Sequence, residues 1–165
     1  MRNLQRPNNV DVAYGLKMGD RRLDFAVTGE RFTSKLRFYS LPDMKEIHPG
    51  GVEVYVGETG DMYRDLMGVA VYHDQTNDKH YVFAGRKNGP TDGTYLWQYE
   101  IIASDSTLEL ALVRKFGKYS GQKEIEAIAV DNELGYIYYS DEGVGVRKYH
   151  ADPAKGSDEL ALFAT

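Results

Sequence analysis

The sequence predicts an all-β fold of the β-propeller type, a repeat of four-stranded antiparallel blades with about three blades in 165 residues. Three observations carry this. Short runs rich in tyrosine, phenylalanine and valine alternate with polar turns, a composition that suits pleated, half-buried surfaces. No stretch longer than a turn shows helical periodicity. The runs also recur at a fixed spacing. Val10, Val69 and Ile128 hold the same place in the first strand of each group, and 69 − 10 and 128 − 69 both give 59. Four short strands per fixed period is the signature of a propeller blade or of another repeated antiparallel sheet.

Each predicted strand has its own warrant. Asn8–Tyr14 opens the first group, a turn through Gly15–Asp20 follows, and Leu23–Thr28, Lys35–Leu41 and Val52–Val56 complete it. The second group runs Leu66–His73, a polar turn at Asp74–Asp78, Lys79–Ala84, Tyr95–Ile102 and Leu108–Phe116. The third restarts after Glu126 with Ile128–Val130, Tyr136–Ser140, Val146–His150 and Glu159–Phe163. One partial propeller domain over 1–165 is expected, with units at approximately 8–58, 66–116 and 125–165. Propellers close at about four to eight blades, so three leave apolar faces at both ends. The expectation is either a piece of a longer chain or a homo-oligomer in which two copies complete a ring.

Composition narrows the function. The chain has no cysteine, which excludes thiolate metal sites and cysteine nucleophiles. A net charge of −5 argues against nucleic acid as a partner. No apolar run approaches the roughly 20 residues of a membrane helix, and Met1–Gln5 leads into Pro7 without a signal-peptide pattern, as the mature part of a secreted protein would also read. An acidic protein can still hold an anionic substrate when metal ions stand between them.

Candidate chemistry starts with the hairpin Glu126–Glu142. Antiparallel pairing brings the outer ends of its two strands side by side, so Glu126 should meet Asp141 and Glu142. Three carboxylates there would suit a hard cation; solvated charges at strand ends are the plainer alternative. The loop after the second strand of each group is charged as well: Gly29-Glu30-Arg31-Phe32, Gly85-Arg86-Lys87-Asn88-Gly89 and Ser140-Asp141-Glu142-Gly143. Equivalent loops share one face of a propeller. Two cationic loops beside an acidic one suit a phosphorylated ligand bridged by a cation. His48, His73, His80 and His150 lack metal-motif spacing and are read as structural, and Trp97 as core.

At these residues the chain resembles the β-propeller phytases, the calcium-dependent enzymes that remove phosphate from myo-inositol hexakisphosphate. The similarity rests on NNVDV (Asn8–Val12), DFAVTGER (Asp24–Arg31), GVAVYH (Gly68–His73), YVFAGRKNG (Tyr81–Gly89) and the long block Glu126–Pro153. The resemblance implies a six-bladed fold and hydrolysis by metal-activated water without a phospho-enzyme. It implies that Arg31 and Lys87 bind substrate phosphates, with Arg86 sharing that role. Glu126 and Glu142 would be the catalytic acids that hold Ca²⁺, with Asp141 assisting and Val10 donating a backbone carbonyl. Phytate would be the small-molecule substrate, with a secreted or periplasmic, bacterial-type location. The chain departs from the pattern in several places. The family's first blade is absent upstream of Asn8, as are the blades after Thr165, and Met67 stands where the family has a phosphate-contacting tyrosine, with Tyr63 the substitute nearest in sequence. A partial propeller that binds calcium, a phosphorylated ligand or a protein partner without turnover is the rival expectation.

Overall fold

The computed structural model describes residues 4–164 and contains three four-stranded antiparallel sheets, consistent with blades of a partial propeller that is not closed. Sheet 1 comprises β1 (Pro7–Met18), β2 (Arg21–Glu30), β3 (Lys35–Leu41) and β4 (Val52–Glu53). After the single-turn helix α1 (Asp61–Arg64), sheet 2 follows with β5 (Leu66–Asp74), β6 (Lys79–Arg86), β7 (Leu96–Ala103) and β8 (Leu108–Phe116). Sheet 3 contains β9 (Ile128–Asp131), β10 (Tyr136–Asp141), β11 (Gly145–His150) and β12 (Ala161–Phe163). Within each sheet every strand pairs with its neighbour in sequence.

Two expected boundaries move. The turn predicted over Gly15–Asp20 is confined to Gly19 and Asp20, because β1 continues through Gly15 to Met18. Gly15 has φ 74° and sits where the β1–β2 register shifts between Ala13 and Leu16. It therefore marks a bulge, the other structure an isolated glycine in a strand signals. The outer strands β4 and β12 are also shorter than predicted, pairing over only Val52–Glu53 and Ala161–Phe163.

The sheets stack through two apolar layers. Phe25, Val27, Leu36 and Phe38 of sheet 1 pack with Val69, Val71, Val82, Ala84 and Trp97 of sheet 2. The opposite face of sheet 2, through Tyr72, Tyr81, Phe83, Leu96 and Phe116, packs with Ile137, Tyr139 and Tyr149 of sheet 3. Strand alternation separates the two sets: Val71 and Val82 face one way, Tyr72 and Tyr81 the other. Each fully buried large apolar side chain contributes about 1.5–3 kcal/mol, so sheet 2, covered on both faces, anchors the assembly.

The first strand of each sheet is one of its two edges, and on β5 the neighbouring sheets cap it. The Val71 amide donates to Asp11 Oδ2 of sheet 1 at 2.7 Å, and the His73 amide to Asn132 Oδ1 of sheet 3 at 2.7 Å. Two amides of β5 that point away from β6 thus find acceptors. β1, β5 and β9 converge along one inner line, with their starting ends at one end of the molecule.

Candidate functional site

At that end the period of 59 becomes a structural rule. Arg6, Asp65 and Glu124 lead into β1, β5 and β9, and 65 − 6 and 124 − 65 both give 59. In each sheet the backbone carbonyl of that residue accepts from the loop after the second strand. Arg31 N donates to Arg6 O (3.1 Å), Lys87 N to Asp65 O (2.9 Å) and Glu142 N to Glu124 O (3.4 Å). The three loop residues flagged in the sequence therefore hold equivalent places on one surface.

Their side chains reach onward to the next sheet. Arg31 grips Asp65 with both arms, Nε to Oδ1 and Nη2 to Oδ2, the latter at 2.6 Å. Lys87 Nζ lies 2.6 Å from Glu124 Oε1. Each cation thus ties the loop of one sheet to the lead-in residue of the following sheet. The hydrogen bond that Arg31 donates to Asp65 is the main reason its guanidinium is held above its ordinary pKa, and the negative charges of Glu124 and Glu126 add to it. Arg31, Asp65, Glu124 and Glu126 consequently form one electrostatic group.

Asn9 stands where the three sheets meet. Its φ of 47° falls in the left-handed region that asparagine tolerates, at a register shift in β1 between Asn8 and Val10. This turns its amide across the inner strands, donating to Met67 O at 3.0 Å and to Glu126 O at 2.7 Å. Met67 is buried beside Asn8, with the Asn8 amide nitrogen against its sulfur. Tyr63 lies on α1, partly exposed, lining a groove with Met62, Asn88 and Tyr119.

A sequence profile of the family described as Phytase matches residues 2–163. The chain belongs to the phytase family. It is 24% identical over 160 residues to the 3-phytase of Bacillus subtilis (strain 168), an alignment that takes in 91% of this chain and 38% of that protein. The chain thus spans well under half the length of that relative.

Within this phytase-family chain, two expected site residues take other positions. Arg86 is not at the surface: it is fully buried, because Ala84 and Arg86 fall on the strand face that packs against sheet 1. Its guanidinium lies over Tyr55 (4.6 Å) and Trp97 (5.2 Å) and donates to Tyr63 O (2.7 Å) and Thr94 O (3.0 Å). Asp141 shares the inward face of β10 with Tyr139 and is fully buried. Its Oδ2 accepts from Arg147 Nε (2.8 Å) and Ser120 N (2.9 Å), and its Oδ1 from Ser120 Oγ (2.6 Å). The hairpin itself forms in the expected register, with Tyr139 opposite Ile128 and Ser140 N donating to Ala127 O. What the pairing does not deliver is a three-carboxylate cluster, since alternation turns Asp141 inward while Glu126 and Glu142 stay exposed. Among the described residues no three acidic or imidazole groups converge to hold a metal ion. Val10 pairs with Thr28 and leaves its side chain exposed.

Sequence reading missed Arg64, Asp65 and Glu124. Arg64, Asp65, Asp61 and Arg31 line a polar hollow of about 370 Å³, where Arg64 donates to Glu53 at 2.6 Å and to Tyr55 O at 3.1 Å. The signal was present: the basic–acidic pairs Arg64-Asp65 and Lys123-Glu124 also stand 59 apart, just before a first strand. The histidines are structural in placement, His73 stacking on His80 at 3.9 Å and His80 Nε2 lying 2.9 Å from Tyr14 O. Trp97 is core, at 2% exposure.

Proposed function

We propose that this chain serves the hydrolysis of phosphate monoesters, with myo-inositol hexakisphosphate as substrate and Ca²⁺ as the metal. The observation that carries the reading is the recurrence of Arg31 and Lys87 in equivalent loops at one end of the inner strands, together with membership of the phytase family. Arg31 presents a planar fork that matches two phosphate oxygens as well as it now matches the two of Asp65. Lys87 adds a second positive charge on the same surface, half-exposed and paired with Glu124. A multiply phosphorylated ring can exchange with both carboxylates at once, which suits a substrate with several phosphates better than one with a single phosphate.

Glu126 and Glu142 are exposed and have no ion-pair partner among the described residues, so they are the acids free to meet a hard cation. Two carboxylates fall short of the six to eight oxygens Ca²⁺ takes, so they do not make a complete centre by themselves. A secreted or periplasmic location belongs to the same reading and rests on the family resemblance alone. Binding of a phosphorylated ligand without turnover is the second reading, favoured by the lack of convergence among the acids. Phosphate release from phytate with added Ca²⁺, compared between the wild-type chain and Glu126→Ala/Glu142→Ala, separates them. Loss in the double variant supports hydrolysis through these acids, and unchanged turnover would sink their assignment.

A further inference from the structure

The loops that carry Arg31 and Lys87 are fastened twice over, and only one of the two fastenings uses a carboxylate. In the first loop Arg31 N donates to Arg6 O (3.1 Å) and Ser34 Oγ donates to Arg64 O (2.6 Å). In the second, Lys87 N donates to Asp65 O (2.9 Å) and Lys87 O accepts from Ile125 N (3.1 Å). Each loop is thereby joined both to its own sheet and to the lead-in of the next. None of these bonds involves the side chain of Asp65 or Glu124, so the loops keep their places without either carboxylate.

Both carboxylates are nevertheless turned onto the cation of the preceding loop. Asp65 fills the Arg31 fork with its two oxygens, Nη2 meeting Oδ2 at 2.6 Å, the arrangement in which a guanidinium grips two phosphate oxygens. Glu124 Oε1 lies 2.6 Å from Lys87 Nζ, where a single phosphate oxygen would lie. Solvent reaches both pairs: the side chains are 12% and 23% exposed at Arg31 and Asp65, and 21% and 39% at Lys87 and Glu124. The first pair also borders the hollow of about 370 Å³, so an incoming anion has room beside Arg31, with the charge of Arg64 on the same lining.

We propose that Asp65 and Glu124 are built-in competitors for the phosphate-binding cations, each holding its cation until a phosphate displaces it and returning when the phosphate leaves. This role rests on the phosphate-binding reading of Arg31 and Lys87, and adds to it the step that empties the surface. A lone phosphate exchanges one charge-assisted contact for another, so its net gain is small. A ring with several phosphates displaces both carboxylates in one binding event, because its second contact is intramolecular. Inorganic phosphate, the product, is thus expelled by the protein's own acids, and the surface is reset for the next polyphosphate.

NMR titration of the metal-free, ¹⁵N-labelled chain tests this, following the Arg31 and Lys87 amides as inorganic phosphate or, separately, phytate is added. Metal-free protein reads binding apart from turnover. Asp65→Asn keeps the side-chain shape and one acceptor oxygen for Arg31 but removes the charge, and should tighten inorganic phosphate at Arg31 about 10-fold. Glu124→Gln acts on the more exposed pair and should tighten it at Lys87 about 2- to 5-fold. Phytate should gain by about the same factors in the single variants, and by about their product in the double variant. Weaker or unchanged phosphate binding in the folded variants would show that the carboxylates hold the cations in position, which overturns the competition and leaves the phosphate-binding reading standing. Arg31 and Lys87 amides unmoved by phosphate and phytate, in the wild-type chain and in both variants, would overturn that reading itself.

Discussion

Removing the Arg86 guanidinium distinguishes an internal clamp from a phosphate ligand. In Arg86→Met the side-chain volume is largely kept, but the carbonyls of Tyr63 and Thr94 lose the donor that a fully buried guanidinium supplies through two part-buried bonds. A buried acceptor left without a partner costs about 1–3 kcal/mol, and the lost cation–π contacts with Tyr55 and Trp97 add about 1–2 kcal/mol. With two acceptors affected the expected loss is therefore about 3–8 kcal/mol, towards the lower end because both bonds are part-buried, and still a large part of the roughly 5–15 kcal/mol that holds a domain together. Lys87→Ala removes only a half-exposed pair with Glu124 and should cost less than about 1 kcal/mol. Urea unfolding followed by tryptophan fluorescence is well placed to see this, because Trp97 is the sole tryptophan and touches Arg86. An Arg86→Met protein with the wild-type midpoint but weakened phosphate binding would refute the inward assignment.

Two further outcomes follow from packing and burial. A methyl group on Gly68 would overlap the Cδ1 and Cγ1 atoms of Ile128, so Gly68→Ala should cost about 1–3 kcal/mol, and Ile128→Ala in the same chain should recover part of that; two purely additive losses in urea titrations would contradict the contact. His80 is buried, and burial lowers its pKa against the raising effect of its bond to the Tyr14 carbonyl, with the nearby His73 lowering it further. Because the folded form holds this proton less tightly than the unfolded chain, the penalty is absent above the ordinary histidine pKa of about 6.5 and grows as pH falls below it. Unfolding midpoints should drop between pH 8 and pH 5, and drop less in His80→Phe; equal pH dependence in the two proteins would reject the assignment.

Much of this architecture was legible because strands announce themselves by alternation and the period of 59 carries over from Val10 to Val69 to Ile128. The hairpin of β9 and β10 was legible from its strand–turn–strand pattern, and the shared surface of the three loops from their common place after the second strand of each group. What sequence could not show was the direction of individual side chains beside a strand end. Arg86 and Lys87 are adjacent, yet alternation buries the first under Tyr55 and leaves the second half-exposed. Asp141 and Glu142 divide in the same way, the first held by Arg147 and Ser120. Asp65 and Glu124 were missed because each precedes its strand and makes its pair with a loop of the previous sheet. Gly15 was misread because one residue type serves both turns and bulges.

Phosphate-ester hydrolysis is the role proposed for the Arg31–Lys87 surface and its exposed acids. Its most direct test is release of inorganic phosphate from phytate at neutral pH by the purified chain, first with Ca²⁺ and then with excess chelator. Release is expected to need Ca²⁺ and to fall at least ~10-fold in Arg31→Ala/Lys87→Ala. Release that persists undiminished in chelator, or in that double variant, would contradict it.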